Sequence, residues 1–429
     1  MTLVGSRPIW AAAILGCASL TRAVHAETAP MDFALDVKGY IEGRLAVTGG
    51  TRSWEDGGLG KTRYGGTAGG NSRVVPGAEG ALLIQPQFGF DVTGNFILTA
   101  NDQQKSALDV MEAFLQYKPA PTGNFGVRGR VGMFFPPISM ENTGLVWTSP
   151  YTLTSSAINS WVGEELRTIG PEATAFYKTD DIELGVTGAI YAFNDPTGTL
   201  LAWRGWAFND REAGLFDQLR LAKVRIIRPT GALYQQTPTD NPFDEIDNRF
   251  GYYVSGSAEH MDFGTLQAMW YDNRANDKAL KAGQWAWHTK FWSLGYKVEL
   301  PGEIDFIAQA MKGDTTTVTI KPPVGPIVDT RFWSAYGLLS KGWGRNRVSF
   351  RFDRFGASDA DRFPDRNNEH GTGLTFSYIY RPVENHRLTL EVLNVVSKRP
   401  ERAYLGLPIR ANETLFQASY RIFFGYNLF

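Results

Sequence analysis

The sequence predicts an all-β chain: a transmembrane antiparallel β-barrel of about sixteen strands, with short periplasmic turns and long extracellular loops. Three observations predict it. Apolar and polar residues alternate strictly in many short segments, as in the C-terminal ETLFQASYRIFFGYNLF, where Phe416, Ala418, Tyr420, Ile422, Phe424, Tyr426 and Leu428 share one face and Gln417, Ser419, Arg421 and Asn427 share the other. A period of two is that of a strand, not a helix. The links between segments alternate short and long, as a barrel crossing a membrane requires. Aromatic residues make up 13% of the chain beside 46 glycines, while no apolar run after the first residues is long enough for a membrane helix.

The segments justify themselves in order. LDVKGYIEGRLAV puts Leu35, Val37, Ile41, Leu45 and Val47 on one face and Asp36, Lys38, Tyr40, Glu42 and Arg44 on the other, a strand over 35–48. The Gly-rich GGTRSWEDGGLGKTRYGGTAGGNS that follows has the composition of a loop. Alternation resumes over 80–93, and TGN leads into 95–101; PAPTGN joins 108–118 to 125–134, and KTDD joins 167–178 to 182–193. MDFG links 251–261 to 265–273, LPGE links 285–299 to 303–313, KGWGRN links 331–342 to 346–355, and RPVEN links 372–381 to 386–397. The last strand is 412–429. Every short link is rich in turn formers. The long links at 49–79, 135–166 and 194–250 fall on the other side, and the count becomes eighteen if LLAWRGWAF in the third pairs with VRII as an extra hairpin.

Upstream of the strands, Arg7, the apolar AAAILGCASL and the small residues before Glu27 have the three regions of a signal peptide, so residues 1–26 are expected to be removed and 27–429 to form a single barrel. The one cysteine, Cys17, falls in the apolar stretch, so the barrel has no disulfide and depends on packing and on the membrane. A net charge of −1 gives no bias toward nucleic acid, and none is expected as a partner.

Sixteen strands enclose a water-filled channel, whereas eight would be filled by side chains. The parity of the apolar residues sends Lys38, Arg44, Arg128, Arg130, Arg347, Arg351, Arg381, Arg387 and Arg421 into the lumen, as pore-lining residues able to bind anions. The last four strands are rich in these bases, and strand five carries Arg128 and Arg130 without an acid. Fixed positive charge on a low-dielectric wall favours anions. The link 135–166, rich in Ser, Thr and aromatics, is expected to fold inward as a constriction, and 194–250 to be a long outer loop. The basic cluster Arg220, Lys223, Arg225 and Arg228 in that outer loop suits lipopolysaccharide phosphates. The histidines His260, His288, His370 and His386 fall at different ends and form no nucleophile–base set, so no enzyme activity, catalytic residue, metal site or cofactor is expected.

From Arg130 the text RVGMFFPPISMEN, then GEELRTIGPEATAFYK and IELGVTGAIYAFND, resembles the phosphate-selective porin O and P family, in which a strand runs into a Pro-containing inward loop and returns through Arg-Xaa-Xaa-Gly, here Arg167-Thr168-Ile169-Gly170. The resemblance implies a trimeric, anion-preferring outer-membrane porin for passive diffusion of small solutes, phosphate or small carboxylates among them. The charges of the 135–166 link are Glu141, Glu164 and Glu165 alone, where phosphate-selective members carry basic residues, so a general pore for neutral or aromatic solutes stays open, as does a structural or adhesive barrel. The expected partners are outer-membrane lipid and lipopolysaccharide, small anionic solutes, further copies of the chain, and the barrel-assembly machinery through the C-terminal strand.

Overall fold

Along Phe33–Thr48 the odd residues Ile41, Leu45 and Val47 are exposed and the even residues Tyr40, Glu42, Arg44 and Ala46 are buried, which makes this segment strand 1 of a wall with an apolar outside. The computed structural model describes residues 33–67, 70–318, 325–361, 363 and 366–428; the segment 1–26 read as a signal peptide lies outside them. Strands 2 to 8 of the wall are Arg73–Phe88, Val92–Asn101, Asp109–Tyr117, Phe125–Phe134, Thr168–Lys178, Ile182–Tyr191 and Gly251–His260. Strands 9 to 16 are Gly264–Asp272, His288–Leu300, Ile304–Val318, Pro326–Trp343, Asn346–Asp359, Glu369–Tyr380, His386–Lys398 and Arg410–Leu428. Each pairs antiparallel with its neighbour, and strand 16 returns to strand 1 from Leu35↔Leu428 to Thr48↔Leu415, closing a sixteen-stranded barrel. Closure satisfies the backbone without leaving an edge, the condition for a sheet to stand in lipid.

Two expectations of the sequence shift. Strand 2 begins at Arg73 rather than near 80, although it contains Pro76. Pro76 lies opposite Leu45 of strand 1, whereas pairing with strand 3 begins only at Glu79↔Asn101, so its missing N–H is not needed on the other side. The proposed extra hairpin is absent: LLAWRGWAF contributes the short helix Thr199–Trp203, and VRII contributes a helical turn at Arg225–Ile227. Sixteen strands therefore stand, not eighteen.

The outer surface inverts the soluble pattern. Trp292, Leu294, Leu339, Phe350, Phe352, Leu374, Phe376 and Leu390 are all exposed large apolar residues, on strands 10, 12, 13, 14 and 15. A belt of this kind calls for lipid or a neighbouring copy to cover it. Phe350→Arg is expected to destabilise the barrel by about 2–4 kcal/mol, the range for arginine near a bilayer midplane, measured by urea unfolding in vesicles. Phe350→Leu keeps the apolar surface and is expected to leave the midpoint near that of the parent.

Candidate pore constriction

The segment 135–166 leaves strand 5 and crosses the barrel interior. Its first turn is pinned low on the far wall: Gln267 of strand 9 donates to the Pro137 carbonyl, and Gln309 of strand 11 donates to the Ile138 carbonyl at 2.9 Å. Met140 lies against Gly295 of strand 10, where a Cβ would stand 2.4 Å from the Met140 side chain, so the wall needs glycine there. Arg351 of strand 13, fully buried, then takes the segment in several places, donating to the Thr154 carbonyl at 2.7 Å, the Ser155 carbonyl at 2.9 Å and the Glu141 carboxylate at 3.2 Å. Glu391 of strand 15 accepts from the backbone N–H groups of Leu153 and Thr154 at 2.6 and 2.9 Å. Two glutamines, an arginine and a glutamate on four wall strands thus satisfy the polar backbone of a segment that would otherwise need water.

The segment ends in helix α1, Ala157–Glu165, with Ser156 accepting from the Asn159 N–H as its N-cap. Trp161 of α1 meets Trp206, Phe291 and Phe332 edge-on, so one side of the interior is a packed aromatic core. Arg167, from the Arg-Xaa-Xaa-Gly stretch, is buried and donates to the carbonyls of Val162, Gly163, Leu166 and Ala213. It closes the C-terminal end of the helix, where a cation suits the free carbonyls, and does not line a passage.

Residues 194–250 do not all stay outside. Helix α2, Thr199–Trp203, and the stretch through Ala213 are buried, and Glu165 of α1 accepts from the N–H groups of Gly198 and Leu200 at 3.0 and 2.8 Å. Asp210 of this stretch reaches the wall, accepting from Arg44 and from Arg63 at 2.9 Å each. Arg63 belongs to the first long link, so three connecting segments, not one, enter the barrel. The basic cluster Arg220, Lys223, Arg225 and Arg228 stays exposed.

All nine predicted bases stand on the lumen parity or at its mouth, but most are neutralised. Arg44, Arg63 and Arg421 share Glu42, Glu79 and Asp210: Arg421 donates to Glu42 at 2.6 Å and to Glu79 at 3.2 Å. Arg351 holds Asp353 at 2.8 Å as well as Glu141, Arg347 holds Asp305 at 2.7 Å, and Lys38 pairs with Asp36. Strand 5 has no acid, yet its arginines find acids on the next strands. Arg130 forms a two-pronged pair with Glu172 of strand 6 at 2.7 and 3.0 Å, and Arg128 lies 3.7 Å from Glu183 of strand 7. Glu112 of strand 4 instead accepts the Phe135 N–H at 2.8 Å.

Arg387 is different. Its guanidinium donates to the Ser149 carbonyl at 3.1 Å and to Thr389 Oγ1 at 3.2 Å, and no carboxylate pairs with it among the described residues. It borders a cleft of about 10 Å³ lined by Thr148, Ser149, Thr152, Leu153 and Ser155 of the inward segment, Asp210 and Glu212, and Arg387 and Arg421 of the wall. That is close to the smallest space that holds one water molecule. On the short-turn side a cavity of about 460 Å³ is lined by Pro150, Glu299, Asp305, Arg345, Arg347 and Arg381. Arg381, just past the end of strand 14, lines that cavity, and Arg387 and Arg421 on the next two strands border the cleft.

Glu212 makes no hydrogen bond or ion pair among the described residues, and burial, then the nearby Glu79 and Asp210, push its carboxyl well above the usual range. The raised pKa of Glu212 favours its neutral form, and so weakens the negative charge on the lining of the cleft that Arg387 borders. Sequence reading missed Asp210, Glu212 and Arg63 because their links were placed outside the barrel. Asp195, Glu245 and Asp247, all in the 194–250 link, bring carboxylate oxygens within 4.8 Å of one another, but backbone N–H groups of Ile246, Phe193 and Asn276 already occupy them. The histidines stay apart, His288 on Asp272 at 3.0 Å and His386 on Tyr420 at 2.6 Å.

No protein-family model and no curated protein sequence matches the chain. Its structure is similar to that of the outer membrane channel DcaP of Acinetobacter baumannii, with a TM-score of 0.55 and 12% identity over 93% of this chain and 100% of that one. It is also similar to in-vitro folded OmpT, an outer membrane protein of Vibrio cholerae, with a TM-score of 0.50 and 9% identity over 92% and 98% of the two chains. At such identities the likeness concerns the fold, a closed sixteen-stranded antiparallel barrel like those of these outer-membrane proteins.

Proposed function

We propose that the protein is an outer-membrane porin that passes small solutes by passive diffusion and prefers anions, phosphate or small carboxylates, at its narrowest point. The observation that carries this reading is the Arg387 guanidinium at the cleft beneath the inward segment, which donates to Thr389 Oγ1 and the Ser149 carbonyl and forms no ion pair among the described residues. A guanidinium beside hydroxyl donors suits carboxylate or phosphate oxygens. The resemblance of the RVGMFFPPISMEN region to phosphate-selective porins points the same way, and implies a trimer. A general pore is the second reading, favoured by the pairing of Arg44, Arg128, Arg130, Arg347, Arg351 and Arg421 with acids.

The test is single-channel recording in planar bilayers under a potassium chloride gradient. Small steps with a reversal potential on the chloride side support the proposal; a potential on the potassium side overturns the anion preference, and silent bilayers overturn the pore. The preference should also depend on pH. Because the Glu212 pKa is raised, the carboxyl is neutral below it and negative above it, so chloride preference should fall as pH rises through it. Glu212→Gln should flatten that dependence, which reversal potentials measured from pH 6 to 10 would show.

A further inference from the structure

The outward face of strands 10 to 13 carries charge where the belt should end. At their long-link ends, Lys290, Asp314 and Arg331 lie in one register row across strands 10, 11 and 12. The next row toward the short turns is Trp292, Lys312 and Trp333. On strand 13, Arg354 stands opposite Ala335, one outward position further down, with its guanidinium 6.0 Å from the Trp333 ring centre. Lys312, Arg331 and Arg354 are exposed, and no acid forms an ion pair with any of them among the described residues; only Lys290 has one, Asp314 at 3.6 Å.

A cation that faces lipid is costly in the hydrocarbon and tolerated at headgroup depth, where a tryptophan also sits best. These three cations interleave with Trp292 and Trp333, so they mark the level where acyl chains give way to headgroups on the long-link side. Adjacent strands stand about 4.8 Å apart, which puts Lys290 and Arg331 about 10 Å apart and Lys312 between them one row lower. We propose that this face binds the phosphorylated sugar headgroup of an outer-leaflet glycolipid, with Lys312, Arg331 and Arg354 taking the phosphates and the two indoles lying against the sugar and the first methylenes.

Charge complementarity selects this occupant over a second copy of the chain. The core of a protein interface is depleted of charge, and three cations without an ion pair buried against protein would need acids of their own, whereas the acids of this face, Asp314 and Asp329, stand at its long-link edge and Asp314 is already on Lys290. A phosphate brings the missing negative charge and leaves water around the rest. The site lies outside the barrel, so it rests on the barrel's standing in a bilayer and is independent of what the pore passes.

The test uses the full barrel folded in detergent and titrated with bisphosphorylated lipid A, binding being read by native mass spectrometry, with the dephosphorylated lipid as comparison. The parent should bind the phosphorylated form at least ten-fold more tightly. The triple variant K312Q/R331Q/R354Q should lose that ten-fold difference while its folded band still shifts on heating. Lys341→Gln removes an exposed outward cation at the short-turn end of strand 12 and should change nothing. Single variants, each expected to weaken binding about three-fold, decide the question if the triple variant fails to fold. Equal binding of the two lipids by the parent, unchanged binding by the variants, or an equal loss in K341Q would overturn the proposal. So would a change in oligomer size in the triple variant with lipid binding intact, which would assign the face to a second copy.

Discussion

Arg351→Met should open the pore and weaken the barrel together. The arginine is fully buried on strand 13 and ties the inward segment to the wall through Thr154, Ser155 and Glu141, while holding Asp353 beside it. Methionine fills much of the same space but leaves two carboxylates and two carbonyls without their donor. Breaking a buried ion pair from one side costs about 3–5 kcal/mol, because the remaining charge has neither water nor partner. The expected result is a lower urea midpoint and larger, noisier conductance steps, as the stretch around Thr154 leaves the wall. Adding Glu141→Gln and Asp353→Asn removes the stranded charges and should restore part of the stability but not the small conductance, since the carbonyls remain unheld. A triple variant that regains both would mean that charge alone, and not the anchoring of the backbone, keeps the segment in place.

The wall was legible in the sequence and the interior was not, and the reason is physical. Lipid imposes a period of two on every crossing strand, and that period needs no knowledge of the partner strand: Phe350 out and Arg351 in follow from their neighbours alone. Strand 2 misled at Pro76 because tolerance of a proline depends on how far strand 3 extends, a fact of pairing rather than of local pattern. The linking segments carry no such period. Asp210 enters the barrel because Arg44 and Arg63 await it, from positions far apart in the chain, and nothing local to DREAG announces this. The same blindness affected charge. Parity gives the side of the wall a base stands on, but whether it is paired depends on acids on strands 6 and 7 for Arg128 and Arg130, while Arg387 forms no ion pair among the described residues.

Selectivity should therefore follow Arg387 and not the pair on strand 5. Arg387→Gln keeps a hydrogen-bond donor near the Ser149 carbonyl and removes a charge at the cleft that forms no ion pair among the described residues. The paired charges beside it, Arg44, Arg63 and Arg421 against Glu42, Glu79 and Asp210, are three of each sign. One unit charge about 4 Å from a permeating ion is worth about 4 kcal/mol at an effective dielectric of 20, before screening by salt and by the ion's own water. Even a third of that is a ten-fold change in permeability ratio, so the chloride preference should fall by about ten-fold or vanish in R387Q. Arg128→Gln with Arg130→Gln does the opposite of removing a free charge: it strands Glu172 and Glu183 on the wall, so the pore should turn mildly toward potassium while the barrel loses the stability of the buried Arg130 pair. Reversal potentials of the two variants in the same gradient separate the cases. A parent-like potential in R387Q, with the whole loss in the strand 5 double variant, would move the selectivity site away from the cleft and onto the wall of strands 5 to 7.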